Sequence, residues 1–131
     1  MGYGGSPEYV DMLANVVLAF MIEKKGAVDN LEEILSEPGV EMIQWGGADY
    51  SMNIGKPRQM NDPEVQAAKK KTFELGIKMG VPPRAEIQSA DEMKEYLDMG
   101  VRHFSVNTDI VILYNFWKSE GEKVLRAMQG E

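Results

Sequence analysis

"NVVLAFMIEKKGAVDNLEEILSEPGVEMIQW", residues 15 to 45, decides the fold. Its first nine residues, Asn15 to Glu23, form a near-continuous apolar run rich in β-branched side chains that ends on Glu23-Lys24-Lys25. A strand covered on both faces reads this way. "AVDNLEEILSEPG" follows, with Val28, Leu31, Ile34 and Leu35 at helical spacing and Pro38-Gly39 as the stop. "VEMIQW", Val40 to Trp45, is then a second strand. Strand, helix and strand in this order predict two parallel strands joined by a right-handed crossover.

Working outward, the same alternation repeats. Ser6 and Pro7 are placed as N-cap and first residue of a short helix, "SPEYVDMLA". Beyond Trp45 a Gly-, Pro- and Asn-rich loop runs from Gly46 to Asn61. Asp62 then caps a helix with Pro63 in its first turn, Val65, Ala68, Thr72, Leu75 and Met79 on one face, and Gly80 at its exit. "PPRAEI" is a third strand. "SADEMKEYLDMG" is a helix with Ser89 and Glu92 spaced as a capping box and Gly100 at its end. "VRHFSV" is a fourth strand, and Thr108 or Asp109 opens a last helix. Four β-α units make an α/β protein, either an open four-stranded sheet or half of an eight-stranded barrel. A half-barrel would leave two apolar strand edges in need of a partner.

Composition narrows the function classes. One domain is expected from 131 residues, and 44% hydrophobic content is that of a globular chain. A net charge of −7 offers no basic stripe for nucleic acid or an anionic membrane surface. The one basic run, Lys69 to Lys71, lies in a helix and reads as a solvated face. The absence of cysteine removes disulfides, thiolate nucleophiles and Cys-bound zinc, and fits a reducing cytoplasm. "VVLAFMI" is too short to span a bilayer and has no basic segment before it, so neither a membrane helix nor a signal peptide is expected.

Parallel α/β proteins carry their chemistry at the carboxyl ends of the strands. The polar residues there are Glu23, Asp49, Arg84, Glu86, Gln88, Asn107, Thr108 and Asp109. Glu23 and Asp49 follow adjacent strands, whose spacing of about 5 Å lets two carboxylates converge on one ion. An all-oxygen pair suits Mg²⁺ or Mn²⁺ and leaves coordination positions for a chelating substrate. Glu23 can equally pair with Lys24, Lys25 or Arg84. "IQWGGADYS", residues 43 to 51, is by itself readable as a turn in which Gly46 and Gly47 supply backbone freedom and Asp49 a cap. His103, the single histidine, and the two tryptophans and ten methionines read as structural.

Longer motifs shift the balance. "FMIEKKGAVDNLEEILSEPGVEMIQWGGADYSMNIGKPRQMNDPEVQAA", residues 20 to 68, resembles the metal-dependent pyruvate aldolases of the HpcH/HpaI aldolase/citrate lyase family. A strand ending in "IE", an "NL..IL" helix, a "G.(A)DLS" loop and an "HPEVQ.A" segment occur there in this order. "GVRHFSVNTDIVIL" looks like the family's last strand and helix. The resemblance implies a (β/α)₈ barrel and aldol or retro-aldol chemistry on 2-oxo acids such as pyruvate, through an enolate stabilised by Mg²⁺ or Mn²⁺, with Co²⁺ as a further option. Carried over, Glu23 and Asp49 match the metal ligands. Backbone N–H groups around Ala48 and Asp49 match the site for the substrate carboxylate, with Gly46 and Gly47 clearing the approach.

The departures are specific. Met21 stands where the family often has glutamine, Gly46-Gly47 where it has "GP", and Asn107 where a glycine is common. The family chain is about twice as long, and its first half supplies a proton-transferring histidine and a keto-orienting arginine. Residues 1–131 therefore read as one domain, the (β/α)₄ half-barrel of strands five to eight. Self-association into a homo-oligomer, or a complementary N-terminal half-barrel, would complete it. No residue here matches the missing base, His103 included. The two functional expectations are an incomplete metal-dependent aldolase site and a catalytically inert half-barrel serving as a fragment or assembly subunit.

Overall fold

The computed structural model describes residues 4–130. Helix α1 (Pro7–Ala14) precedes β1 (Ala19–Ile22), and α2 (Lys25–Asp29) and α3 (Leu31–Ser36) lead to β2 (Met42–Trp45). Helices α4 (Gly47–Asn53) and α5 (Pro63–Met79) come next. Then follow β3 (Pro83–Ile87), α6 (Met93–Asp98), β4 (His103–Val106) and α7 (Asp109–Gln129). All strand pairs are parallel and the sheet order is β1-β2-β3-β4. An open doubly wound sheet reverses its strand order at a switch point, whereas a barrel wall adds each strand beside the last. This sheet does the second, so of the two α/β architectures the sequence allows it is the half-barrel.

Strand alternation divides the side chains between two faces. Ile22, Ile43, Trp45 and Ala85 enter the core against Val28, Leu31 and Leu35 of α2 and α3 and against Val65, Ala68 and Phe73 of α5. On the opposite face the register sets Met21, Gln44, Arg84 and His103 in one row across all four strands. The next row upward, toward the carboxyl edge, contains Glu23, Gly46, Glu86 and Ser105 by continuation of the same register. The inner surface is thus polar where the outer one is packed.

Local chemistry sets most boundaries as the sequence predicts. Ser6 Oγ accepts from Tyr9 N–H at 3.2 Å, and Asp62 Oδ1 accepts from Glu64 N–H at 2.9 Å ahead of Pro63. Gly80 closes α5 in the left-handed region at φ 79°.

Four expectations change. The first strand is only Ala19–Ile22, and Phe20 and Met21 are 44% and 46% exposed rather than covered on both faces. β1 is an edge strand, and the Leu18 N–H donates to the Glu41 carboxylate at 2.8 Å, which ends its ladder. The single helix expected after it is two, because Asn30 leaves helical geometry and its amide donates to Gly26 C=O at 2.9 Å. Residues 47–53 of the expected loop are helix α4. Ser89 makes no capping bond; Glu92 Oε2 instead accepts from Gln88 N–H at 3.3 Å, and α6 is preceded by a 3₁₀ turn. None of the described helices is long and apolar enough to cross a membrane.

Candidate active site

The site grows from the junction of β1, β2 and α4. Glu23 follows the last residue of β1, and the Gly46 N–H continues the ladder by donating to Ile22 C=O at 3.0 Å. The Glu23 side chain thereby lies against Gly46. A Cβ at position 46 would stand 2.7 Å from Glu23 Cβ, 3.1 Å from Glu23 Oε2 and 3.1 Å from Met21 Cε. Gly47 is constrained by different neighbours. A Cβ there would come within 2.5 Å of Met60 Cε and 2.7 Å of the Trp45 indole nitrogen. The paired glycines thus have distinct local causes, one admitting the Glu23 carboxylate and the other admitting Trp45 and Met60.

Asp49 lies in the first turn of α4, half-buried. Tyr50 N–H makes the first helical bond, to Gly46 C=O at 2.9 Å. The N–H groups of Gly47, Ala48 and Asp49 therefore have no acceptor within the helix, the usual state of a first turn. The Asp49 side chain has no hydrogen bond or ion pair among the described residues. Tyr50 behind it is 3% exposed and packs on Trp45 with ring centroids 4.8 Å apart, and its burial pushes the phenol pKa upward, keeping it neutral.

Glu23 is lightly held. Its nearest cation, Lys24 Nζ, is 3.8 Å from Oε1, with the lysine side chain 56% exposed. Exposed pairs at that distance contribute little. The other proposed partners are engaged elsewhere, Lys25 with Asp29 at 2.9 Å and Arg84 with Gln44 at 2.5 Å. Glu23 and Asp49 thus stand beside Gly46 and three residues after it, both available as oxygen donors. No group of three or more His, Asp or Glu side chains among the described residues is close enough to hold a metal ion. Two carboxylates completed by water and substrate oxygens are a donor set that fits Mg²⁺ or Mn²⁺.

One row below is a polar network that linear reading missed. Gln44 is 4% exposed; its oxygen accepts from Arg84 Nε, and its NH₂ group donates to Glu86 Oε1. The signal available was a glutamine inside an otherwise apolar strand, but its partners are 40 and 42 residues away. His103 sits beside Arg84 in the same row and is exposed, away from Glu23 and Asp49.

Comparison with known proteins agrees with the fold. The profile of the HpcH/HpaI aldolase/citrate lyase family matches residues 4–110. The chain is 33% identical over 112 residues to the hydroxypyruvate/pyruvate aldolase of Roseobacter denitrificans, covering 84% of this chain and 43% of that protein. It is 29% identical over 108 residues to the 4-hydroxy-2-oxo-heptane-1,7-dioate aldolase of Klebsiella pneumoniae subsp. pneumoniae, covering 82% and 41%. The crystal structure of citrate synthase SbnG superposes with a TM-score of 0.81 at 22% identity, over 93% of this chain and 50% of that one. The chain spans less than half the length of the curated relatives it matches.

Proposed function

Since the chain belongs to the HpcH/HpaI aldolase/citrate lyase family, we propose that its carboxyl edge is the metal-binding half of a carbon–carbon lyase site for pyruvate or a related 2-oxo acid. The observation that carries this reading is the Glu23 carboxylate seated against Gly46, three residues ahead of an uncommitted Asp49. Glu23 and Asp49 would hold Mg²⁺, Mn²⁺ or Co²⁺. When bound, such an ion supplies a Lewis acid for the carboxylate and keto oxygens of the substrate. The residues of the chain do the rest. The N–H groups of Ala48 and Asp49 donate to the substrate carboxylate, and their place at the start of α4 favours negative charge. Gly46 leaves room for the Glu23 side chain beside it, and Trp45 packs on Tyr50 behind Asp49.

Calorimetric titration with Mn²⁺ in the presence of oxalate, a mimic of the pyruvate enolate, tests the reading. Binding that is lost in Glu23→Gln and in Asp49→Asn is expected. No binding by the parent chain would remove the lyase reading.

A second reading concerns assembly and rests on exposed apolar surface at both ends of the sheet. Val10, Leu13, Val17 and Leu18 flank β1, and Val106, Ile110, Leu113 and Trp117 continue from β4, all exposed. Patches of this extent mark surfaces that are covered in the working protein. A second polypeptide, either another copy of this chain or a complementary half-barrel, would close both edges and supply the remainder of the site. An inert half-barrel uses the same surfaces and differs in one measurement, because it would associate without binding Mn²⁺.

A further inference from the structure

We infer that the cavity between α4, α5 and α6 is a second binding site, separate from the metal edge, for a small α-amino or α-hydroxy carboxylic acid with an apolar side chain. Neither Glu23 nor Asp49 lines this cavity, and the inference does not depend on the lyase reading.

The space measures about 280 Å³, just under the range of about 300–1,000 Å³ usual for ligand pockets, so its occupant is small. Phe73 and Tyr96, with ring centroids 5.7 Å apart, give it an aromatic wall. Three polar groups line the rest. The first is the Trp45 indole N–H, which can only donate. Trp45 is 9% exposed, and its N–H has no acceptor among the described residues. No fully buried side-chain nitrogen there lacks a partner, so this N–H opens onto the cavity that Trp45 lines. Gly47 keeps it open, since a Cβ at that position would stand 2.7 Å from the indole nitrogen.

The second group is Lys69, which departs from the solvated face expected of its basic run. Its side chain is 16% exposed, whereas that of Lys70 is 67% exposed. The Lys69 ammonium lies 4.5 Å from the centroid of the Tyr96 ring. Its ion-pair partner, Glu95, is 3.8 Å away with a side chain 70% exposed, a contact that contributes little. The third group is Glu86. Its Oε1 accepts from the buried Gln44 amide, and Oε2 has no partner among the described residues. Lys69 and Glu86 thus line one cavity with opposite charges and make no ion pair with each other.

Two donors and one acceptor held apart around an aromatic wall match a molecule with an acid and a donor on neighbouring atoms. Its carboxylate accepts from Trp45 Nε1 and Lys69 Nζ. Its α-ammonium or α-hydroxyl group donates to Glu86, and its side chain lies against Phe73 and Tyr96. A simple anion would face Glu86 unpaired and a simple amine would face Lys69, so the two charges select against both.

The experiment follows the Trp45 indole N–H by proton–nitrogen NMR in the full chain with EDTA present. Trp117→Phe removes the other indole signal, and Trp117 is exposed on α7 outside the cavity. L-phenylalanine and L-phenyllactate are titrated against 3-phenylpropionate, which has the same acid and ring but no α donor. A saturable shift is expected, with at least one of the first two binding about tenfold or more tightly than the third. The tighter of those two identifies the donor as amine or hydroxyl. Lys69→Met, which keeps the chain length beside Tyr96, should weaken every acid by about tenfold or more, the scale of one hydrogen bond to a charged group. Glu86→Gln should weaken the tighter acid by a similar factor and leave 3-phenylpropionate at least as well bound as before. No saturable shift with any of the three acids overturns the site. Equal affinity for all three, or parent affinity in Lys69→Met or in Glu86→Gln for the tighter acid, overturns the assignment of its ligand class.

Discussion

The Glu23 side chain occupies the space that a side chain at position 46 would fill: a Cβ on Gly46 would stand 2.7 Å from Glu23 Cβ. Sequence separates the two by a helix pair, and parallel pairing brings them together at the carboxyl edge. Gly46→Ala must displace the base of Glu23, which cannot swing away as a side-chain tip could. The expected cost is about 1–3 kcal/mol of stability, the range for overpacking a fitted site. Mn²⁺ affinity should fall in the same variant. Thermal unfolding with and without Mn²⁺ reads both effects, and an unshifted Tm with unchanged affinity would show that the contact is not constraining.

Metal binding should itself be visible as stability. A ligand at 100 times its Kd stabilises the folded state by about 2.7 kcal/mol, or roughly 10 °C in Tm for a chain of this size. Glu23→Gln and Asp49→Asn should each remove that shift and leave the metal-free Tm close to the parent's, because Asp49 has no partner among the described residues and Glu23 only a loose one at 3.8 Å. EDTA should reverse the shift in the parent. A variant that loses the metal-free Tm instead would identify its carboxylate as structural.

Gly76 tests the packing of α5 on the sheet. A Cβ there would lie 2.8 Å from Ile43 Cδ1 and 2.9 Å from the backbone oxygen of Val81. The isoleucine tip can move; the carbonyl cannot, since Val81 N–H is bound back to Gly76 C=O at 2.9 Å. Alanine gains about 1 kcal/mol of helix propensity over glycine, against an overpacking cost of about 1–3 kcal/mol. Gly76→Ala is therefore expected to lower the denaturant midpoint despite being the better helix former. A raised midpoint would mean that α5 can lift off β2 freely.

The pH dependence at the start of α5 has a definite sign. Lys56 Nζ lies 2.8 Å from Asp62 Oδ1, and its hydrogen bond, together with the Glu64 N–H, holds the Asp62 carboxyl below its ordinary value of 3.8. A lowered folded-state pKa stabilises the fold fully above the unfolded value and is lost as pH falls through the folded one. The Tm deficit of Asp62→Ala should thus be constant from neutral pH down to about 4. It should then narrow with further acidification, read by circular dichroism melts. A deficit that persists undiminished well below that range would assign it to something other than ionised Asp62.

What linear reading reached and what it missed have physical causes. Caps such as Ser6 and Asp62, the prolines after them and the glycine at position 80 act within a few residues, so their effects are written locally. The alternation of strands and helices is equally local in its periodicity. The two glycines at the start of α4 hid a helix, since their helical penalty is overcome by packing of Trp45, Tyr50 and Met60 around them. Asn30 broke a helix whose apolar spacing ran straight through it. The bond chain from Arg84 through Gln44 to Glu86 depends on cross-strand register, which no local pattern encodes. The run from Val16 to Met21 has the apolar pattern of a strand covered on both faces, yet it is exposed. Its apolar character matches a surface that this chain does not itself cover.

That last mismatch leads to a prediction about assembly. The two tryptophans report on different places: Trp45 is 9% exposed in the core and Trp117 is 67% exposed on α7. A partner covering α7 would shift Trp117 emission to shorter wavelength while leaving Trp45 as a constant background. Dilution of the chain from the micromolar to the nanomolar range should therefore redden its fluorescence, in step with a fall in sedimentation coefficient. Ile110→Lys with Trp117→Lys should give a slower-sedimenting species at all concentrations, with the far-ultraviolet circular dichroism of the sheet retained. The pair is chosen because neither residue contributes to the core, so its loss tests association apart from folding. A parent chain that sediments as a compact monomer throughout, with concentration-independent emission, would mean that the apolar edges stay open and that the half-barrel is not completed by another copy of this chain.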